Sequence, residues 1–307
     1  MNVDLMRKID YYAGIPLCFL STLLVKLLPG RKAQWPKKVL LVELSEMGSA
    51  ILVDPAMQKL KTHLDAELFF VIFEKNKPSL QLLNTVEDKN IFTIRESGLF
   101  TLAYDTIRFL FWTRRQGIDT VIDLELFSRY TALLTGMSGA ANKVGFYAFH
   151  NEGLYRGHML THQVAYNPHI HISKNFIALV NSLTADRPER PYSKTVVSAE
   201  EIQLKKAVVA EAEIESIRAR VKKHYSSFDA NRNRIVLINA NASDLLPQRR
   251  WDRGNYAEVV RSILDRHESV LVLLTGSNSE REGLQILADD VDHPRCFNFA
   301  GEVGFKE

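Results

Sequence analysis

Short apolar runs alternate with amphipathic stretches along most of the chain. "KVLLVEL" (38–44), "AELFFVIF" (66–73), "NIFTI" (90–94), "DTVIDL" (119–124) and "NKVGFY" (142–147) are brief and rich in β-branched or aromatic residues, so they predict buried strands. Residues 50–64, 100–117 and 127–139 carry helical spacing. Pro55 fits the first of these only near a first turn, and Gly117 closes the second. A second series follows, with strands at 234–240, 269–276 and 296–302 and helices at 255–267 and 279–291. The last helix opens with acids, as its N-terminal dipole prefers. Strands alternating with helices at this spacing imply βαβ units, mostly parallel sheets and the α/β class.

The rhythm breaks twice. Residues 150–172 read as a loop and hold five of the nine histidines: His150, His158, His162, His169 and His171. After a helix at 173–183, "DRPERPYS" (186–193) reads as an interdomain connection, and a charged helix follows from about 199 to 224. With 307 residues, two domains are expected, 37–190 and 191–307. The second holds about three βα units and is expected to be an incomplete doubly wound domain.

The start of the chain differs. Residues 11–25 carry no charge, with Arg7 and Lys8 before them and Lys26, Arg31, Lys32, Lys37 and Lys38 after. One helix of that length would reach roughly 22 Å, short of a ~30 Å hydrocarbon core. No A-x-A-like cleavage site follows. Residues 1–36 are therefore expected to lie in a membrane interface, through apolar burial and basic residues near anionic headgroups. The competing reading is a helix packed on the protein's own surface.

Composition changes this picture little. The chain is 46% hydrophobic and 24% charged, enough for sizeable cores, and its net charge of +3 does not indicate a general nucleic-acid binder. Cys18 and Cys296 stand far apart with no metal-like spacing, which suits a reducing compartment. The histidine segment lacks the tight spacing of a zinc site, so it reads as an acceptor-facing loop; no metal and no cofactor is expected. "LSEMGSA" is neither a G-x-G-x-x-G fingerprint nor a Walker A loop, and "LLTGSNSE" has a single glycine.

Five segments occur in a telling order: "LSEMGSAILVDPAM", "DTVIDLELFSRYTALLTGMSGAANKVGF", "RRWDRGNYAEVV", "VLVLLTGSNSERE" and "NFAGE". Together, over about residues 37–301, they resemble the family 9 glycosyltransferases, the heptosyltransferase family of lipopolysaccharide core assembly. The resemblance implies a GT-B fold, two Rossmann-like domains with mostly parallel sheets facing a cleft. The acceptor would lie on the first and the nucleotide-sugar donor on the second. It implies an enzyme: an inverting, metal-independent transferase moving heptose or a related sugar, usually from ADP-heptose, to a lipopolysaccharide-core or similar glycolipid acceptor. The place implied is the inner face of the plasma membrane.

Two departures matter. The family reads S-x-x-G-D in the opening loop, and that Asp is the expected base; Ser49 stands there, with an acid at Glu46. An inverting displacement must still remove the acceptor's proton. Glu46, at the C-terminal end of a strand, is at the usual ligand edge, so Glu46 and Ser49 are the catalytic candidates. Otherwise Glu46 caps the next helix or pairs with a neighbour. Asp123 and Glu125 are second candidates, with bonding of nearby backbone as their plainer role. On the donor side, Arg249, two residues before Trp251, matches the family's phosphate-touching basic residue. Asn241 and Ser243 are candidate phosphate donors, and Glu280 matches the acid that bonds the donor's ribose. The second departure is that the family's D-[ST]-G-x-x-H motif does not occur by Glu307. The alternative is a non-catalytic sugar- or nucleotide-binding relative.

Overall fold

The computed structural model describes residues 3–27, 32–147, 154–186, 196–242 and 247–304. Contacts divide the chain into two compact units, Met1–Ala207 and Val208–Glu307. The boundary expected at 190/191 lies outside the described residues.

The first unit opens with α1 (Val3–Tyr12) and α2 (Gly14–Leu27). Then come β1 (Lys38–Val42), α3 (Met47–Leu52), α4 (Asp54–Leu64), β2 (Glu67–Phe73), α5 (Pro78–Leu83), β3 (Ile91–Ile94) and α6 (Leu99–Gln116). β4 (Thr120–Asp123), α7 (Arg129–Met137), β5 (Asn142–Phe146), β6 (His162–Val164) and α8 (Ile172–Asn181) complete it. The strands form one parallel sheet in the order β3-β2-β1-β4-β5-β6. Successive residues of a strand point to opposite faces. Val39 and Leu41 therefore join a core with Met57 and Leu60 of α4 and Phe176 of α8. Leu40 and Val42 join another with Phe109 of α6 and Leu134 of α7. The strand order reverses between β1 and β4, and ligands of doubly wound sheets bind beyond the strand ends at such a switch point.

The second unit holds α9 (Glu211–His224), β7 (Arg234–Ile238), α10 (Arg253–Arg266), β8 (Val270–Leu274), α11 (Arg281–Val291) and β9 (Cys296–Asn298). Its sheet is parallel, ordered β7-β8-β9, the same neighbour sequence as β1-β2-β3. Val272 and Leu274 pack with α10 and α11, while Leu271 and Leu273 pack with Val221 of α9.

Four elements differ from the sequence expectation. Residues 11–25 are not one helix: α1 ends at Tyr12 and α2 starts at Gly14. Pro16 lacks an N–H, and in a continuous helix its ring would strike the Tyr12 carbonyl. The stretch 50–64 breaks in the same way at Val53, one residue before α4, with Pro55 in that helix's first turn. The histidine segment contains β6, which adds the sixth strand beside β5. The expected helix at 199–224 is only a short turn, Glu200–Ile202, and α9. There the Ala210 amide donates to the Glu213 carboxylate at 2.9 Å and sets the helix start. Among the described residues no single helix is long and apolar enough to cross a membrane; Leu5–Tyr12 and Gly14–Leu27 reach that length and composition together but bend by 41°.

Candidate functional site

Four acids gather at the switch point of the first sheet. Glu43 directly follows β1 and is buried; Asp123 ends β4 and is also buried. The Glu125 carboxylate accepts the Leu44 amide at 2.9 Å, the Ser45 amide at 3.2 Å and the Ser45 hydroxyl at 3.1 Å, tying the loop after β1 to the loop after β4. Asp123 accepts the Glu125 amide at 3.1 Å and pairs with Arg156, which also donates to Thr131 Oγ1 at 3.0 Å. Both second candidates for the base are thus engaged in holding the loops. Glu46 is different. It is exposed and occupies the N-cap position of α3, but its side chain makes no capping bond. Instead Oε2 accepts the Ser49 hydroxyl at 2.9 Å.

Burial raises the pKa of three of these acids. Glu43 is pushed up to about 9, first by burial and then by the charges of Glu125 and Glu46, while a hydrogen bond from the Glu46 amide pulls the other way. Burial raises Glu125 as well, and at Asp123 it outweighs the opposing pull of Arg156. Glu43 was overlooked in the sequence because a single acid inside an apolar run reads as part of the strand. Its signal was that it alone carries charge between Val39 and Leu44.

The histidines do not converge. His162 lies buried in β6, where burial lowers its pKa; His158 stacks near Tyr147 and Tyr155; His171 caps α8 through Ser173. His169 is exposed, and His150 lies outside the described residues. Among the described residues no three His, Cys, Asp or Glu side chains are placed to hold a metal ion.

The second unit has its own cavity, of about 630 Å³, lined by Asn241, Arg250, Trp251, Arg253, Tyr256 and Glu280 among others. The structure thus brings Asn241 and Glu280 to one wall. Arg249 ends the short turn Pro247–Arg249 that leads there but is not part of the lining. Ser243 lies outside the described residues. Two guanidinium groups stand on the wall: Arg250, which donates to the Ala242 carbonyl at 2.9 Å, and Arg253, paired with Asp290 at 2.6 Å. Glu280 accepts the Ser277 amide and hydroxyl, each at 2.7 Å, in a capping box. The buried Nδ2 of Asn241 has no hydrogen-bond partner among the described residues. Such a donor costs free energy unless an oxygen meets it, and a bound ligand can supply one. Gly276 allows this wall to close up: a Cβ there would meet Asn241 Nδ2 and Leu284 Cδ1, both at 2.8 Å.

Residues 112–307 match Glycosyltransferase family 9 (heptosyltransferase). The chain belongs to that family. Among solved structures, family 9 members share its fold. E. coli ADP-heptose lipopolysaccharide heptosyltransferase II aligns with a TM-score of 0.62 at 18% identity, covering 88% of this chain and 74% of that one. A family 9 glycosyltransferase from Veillonella parvula aligns with a TM-score of 0.61 at 15% identity, covering 89% and 71%. E. coli heptosyltransferase WaaC with ADP aligns with a TM-score of 0.53 at 14% identity, covering 83% and 73%. No curated protein sequence matches. The family 9 chain is of GT-B type, with two Rossmann-like units, and its general activity is sugar transfer.

Proposed function

We propose that this family 9 protein is an inverting glycosyltransferase that moves heptose or a related sugar from a nucleotide-sugar donor to a lipopolysaccharide-core or similar glycolipid acceptor. It works at the inner face of the plasma membrane. The donor side of this reading draws on relatives: WaaC has been solved with ADP and with ADP-2-deoxy-2-fluoro heptose. The cavity with Arg250, Arg253 and the unpaired Asn241 amide suits a diphosphate, because guanidinium groups bind phosphate oxygens bidentately.

The observation that carries the reading is the exposed Glu46 carboxylate at the switch point, oriented by Ser49. In the reaction the acceptor hydroxyl oxygen attacks the anomeric carbon opposite the diphosphate. The bond from that carbon to the diphosphate oxygen breaks, and its electron pair leaves with the nucleoside diphosphate. Glu46 takes the hydroxyl proton as general base. Arg250 and Arg253 balance the charge growing on the leaving group, Asn241 donates a hydrogen bond to it, and Glu280 holds the ribose. No metal is required in this scheme.

One observation favours a second reading, a non-catalytic binding relative: Ser49 replaces the family's expected acid. The test is a single-turnover assay with radiolabelled ADP-heptose and core-truncated lipopolysaccharide. Label in the lipid fraction, with the anomeric configuration inverted, supports transfer. Tight nucleotide binding with no label moved from any ADP-, UDP- or GDP-sugar would leave the binding relative standing.

A further inference from the structure

Helix α2 is inside out for a soluble helix. Its buried face carries Gly14, Cys18, Ser21 and Thr22. Leu17, Phe19, Leu20, Leu23, Leu24 and Leu27 are exposed, Leu27 by 81%. An amphipathic helix of a soluble domain turns its apolar stripe to the core. Here the polar face is satisfied inside: Thr22 donates to the Cys18 carbonyl at 2.7 Å and accepts the His158 amide at 2.9 Å. Exposed basic residues flank the stripe, Arg7 and Lys8 on α1 and Lys26 at the end of α2. That is the charge complement of an anionic headgroup layer.

Behind the stripe lies a second feature. A cavity of about 460 Å³ opens between α1, α2, α6 and α7, within the roughly 300–1,000 Å³ range of small-molecule sites. Met6, Ile9, Leu102 and Leu133 line its apolar part. Leu17 belongs both to this lining and to the exposed stripe. At the other end stand Ser45 and Glu125, in the loops that carry the candidate base. The cavity thus joins a residue of the exposed α2 stripe to the loop that precedes Glu46.

We infer that this cavity seats an alkyl chain of a membrane-held acceptor, while the α2 stripe lies in the headgroup region of the bilayer. The inference rests on the glycolipid-acceptor reading and deepens it. With its tail leaving past Leu17 toward the bilayer, such a lipid has its polar head near Ser45 and Glu125, where an acceptor hydroxyl must be delivered. Basic residues beside the stripe favour anionic lipid, and the apolar part of the lining suits an alkyl chain better than a free sugar, while its charged Asp10 and Arg129 are paired with each other.

The test uses the full chain and two probes. Dansyl-labelled undecanoic acid reports on the cavity by fluorescence, and phosphatidylcholine vesicles containing phosphatidylglycerol report on the stripe by co-sedimentation. Ala13→Trp and Leu102→Trp fill the cavity from different elements; Leu20→Lys with Leu24→Lys charges the stripe. The expected result is a loss of dansyl-probe affinity of at least about tenfold in both filled variants, with vesicle binding retained. The charged variant should do the reverse. If Ala13→Trp does not fold, Leu102→Trp carries the cavity test. Equal probe affinity in wild type and the folded filled variants overturns the inference. So does a dimer in sedimentation equilibrium that dissociates on charging the stripe, because a second copy then covers it. Neither probe involves a sugar donor, so failure here is separate from failure of the transfer assay.

Discussion

The Ser49 hydroxyl donates a 2.9 Å hydrogen bond to Glu46 Oε2. The position where the family carries an acid therefore holds the acid that stands three residues earlier. This contact also separates the two roles open to Glu46, because a capping carboxylate would accept backbone amides of α3 and this one accepts none. Glu46→Gln should lower single-turnover transfer by about 100- to 10,000-fold, the usual worth of a general base. The side chain is exposed, so the folding free energy should change by no more than about 0.5 kcal/mol. Normal transfer with an unchanged melting temperature would remove Glu46 from the mechanism.

Glu43 gives the first unit a pH dependence with a definite sign. Its carboxyl is pushed up to about 9 by burial and neighbouring acids. Between the ordinary carboxylate value and that figure the folded protein holds a proton that the unfolded chain has released. Stability from this group is thus complete below about pH 4.5 and is lost as pH rises towards 9, at up to about 1.4 kcal/mol per pH unit. Burial raises Glu125 and Asp123 too, so they act in the same direction. Urea unfolding across this range should show the midpoint falling with pH, and Glu43→Gln should flatten the slope. A midpoint that rises with pH would contradict the burial argument.

Most strands of both sheets were legible because they are apolar runs bounded by polar residues, and β1, β2, β4 and β8 fall where the pattern puts them. The place of Glu46 was legible as well, since it follows the first strand and lies beside the switch point of the sheet. What escaped has physical causes. β6 is three residues long and holds no apolar run, so only its pairing with β5 makes it a strand. The breaks at Ala13 and Val53 follow from Pro16 and Pro55; the restriction that Pro55 imposes was legible, but the hydrophobic spacing runs on through both breaks and hides where they fall. Arg250 and Arg253 were not singled out, because the motif names only Arg249 and its position does not tell which side chains line a cavity.

That difference can be measured. Arg250 lines the 630 Å³ cavity and Arg249 does not. Calorimetric titration with ADP, UDP and GDP should show Arg250→Ala losing roughly 1.5–3 kcal/mol for the preferred nucleotide, as expected for a charged hydrogen bond. Arg249→Ala should lose clearly less. The reverse ranking would return the phosphate role to Arg249 as the family position implies.

The same cavity depends on Gly276. A methyl group there would press on Asn241 Nδ2, Leu284 Cδ1 and Glu280 Oε2 at once. Gly276→Ala should cost about 1–3 kcal/mol of stability through overpacking and should weaken nucleotide binding by displacing two candidate donor contacts. Unaltered nucleotide affinity in a folded Gly276→Ala protein would show that Asn241 and Glu280 do not hold the nucleotide.

Asp10 fastens the N-terminal helices to the first unit. Its carboxylate accepts the Arg129 and Tyr130 amides at 2.9 and 3.1 Å, at the start of α7, and pairs with the Arg129 guanidinium at 3.1 Å. The Arg129 side chain is only 5% exposed, so removing its partner leaves a charge in a poorly solvated place. Asp10→Ala should cost about 2–4 kcal/mol, below the top of the range for broken buried pairs because Asp10 itself is partly exposed. Asp10→Asn keeps an acceptor for the two amides and should lose less. The loss should be local: amide exchange should speed up in α1 and α2 and at the start of α7, while β1 and β2, buried in the sheet, stay protected. Exchange that speeds up equally across the sheet would mean the N-terminal helices are part of the core's cooperative unit. Unchanged exchange in α1 and α2 would mean that Asp10 does not anchor them at all.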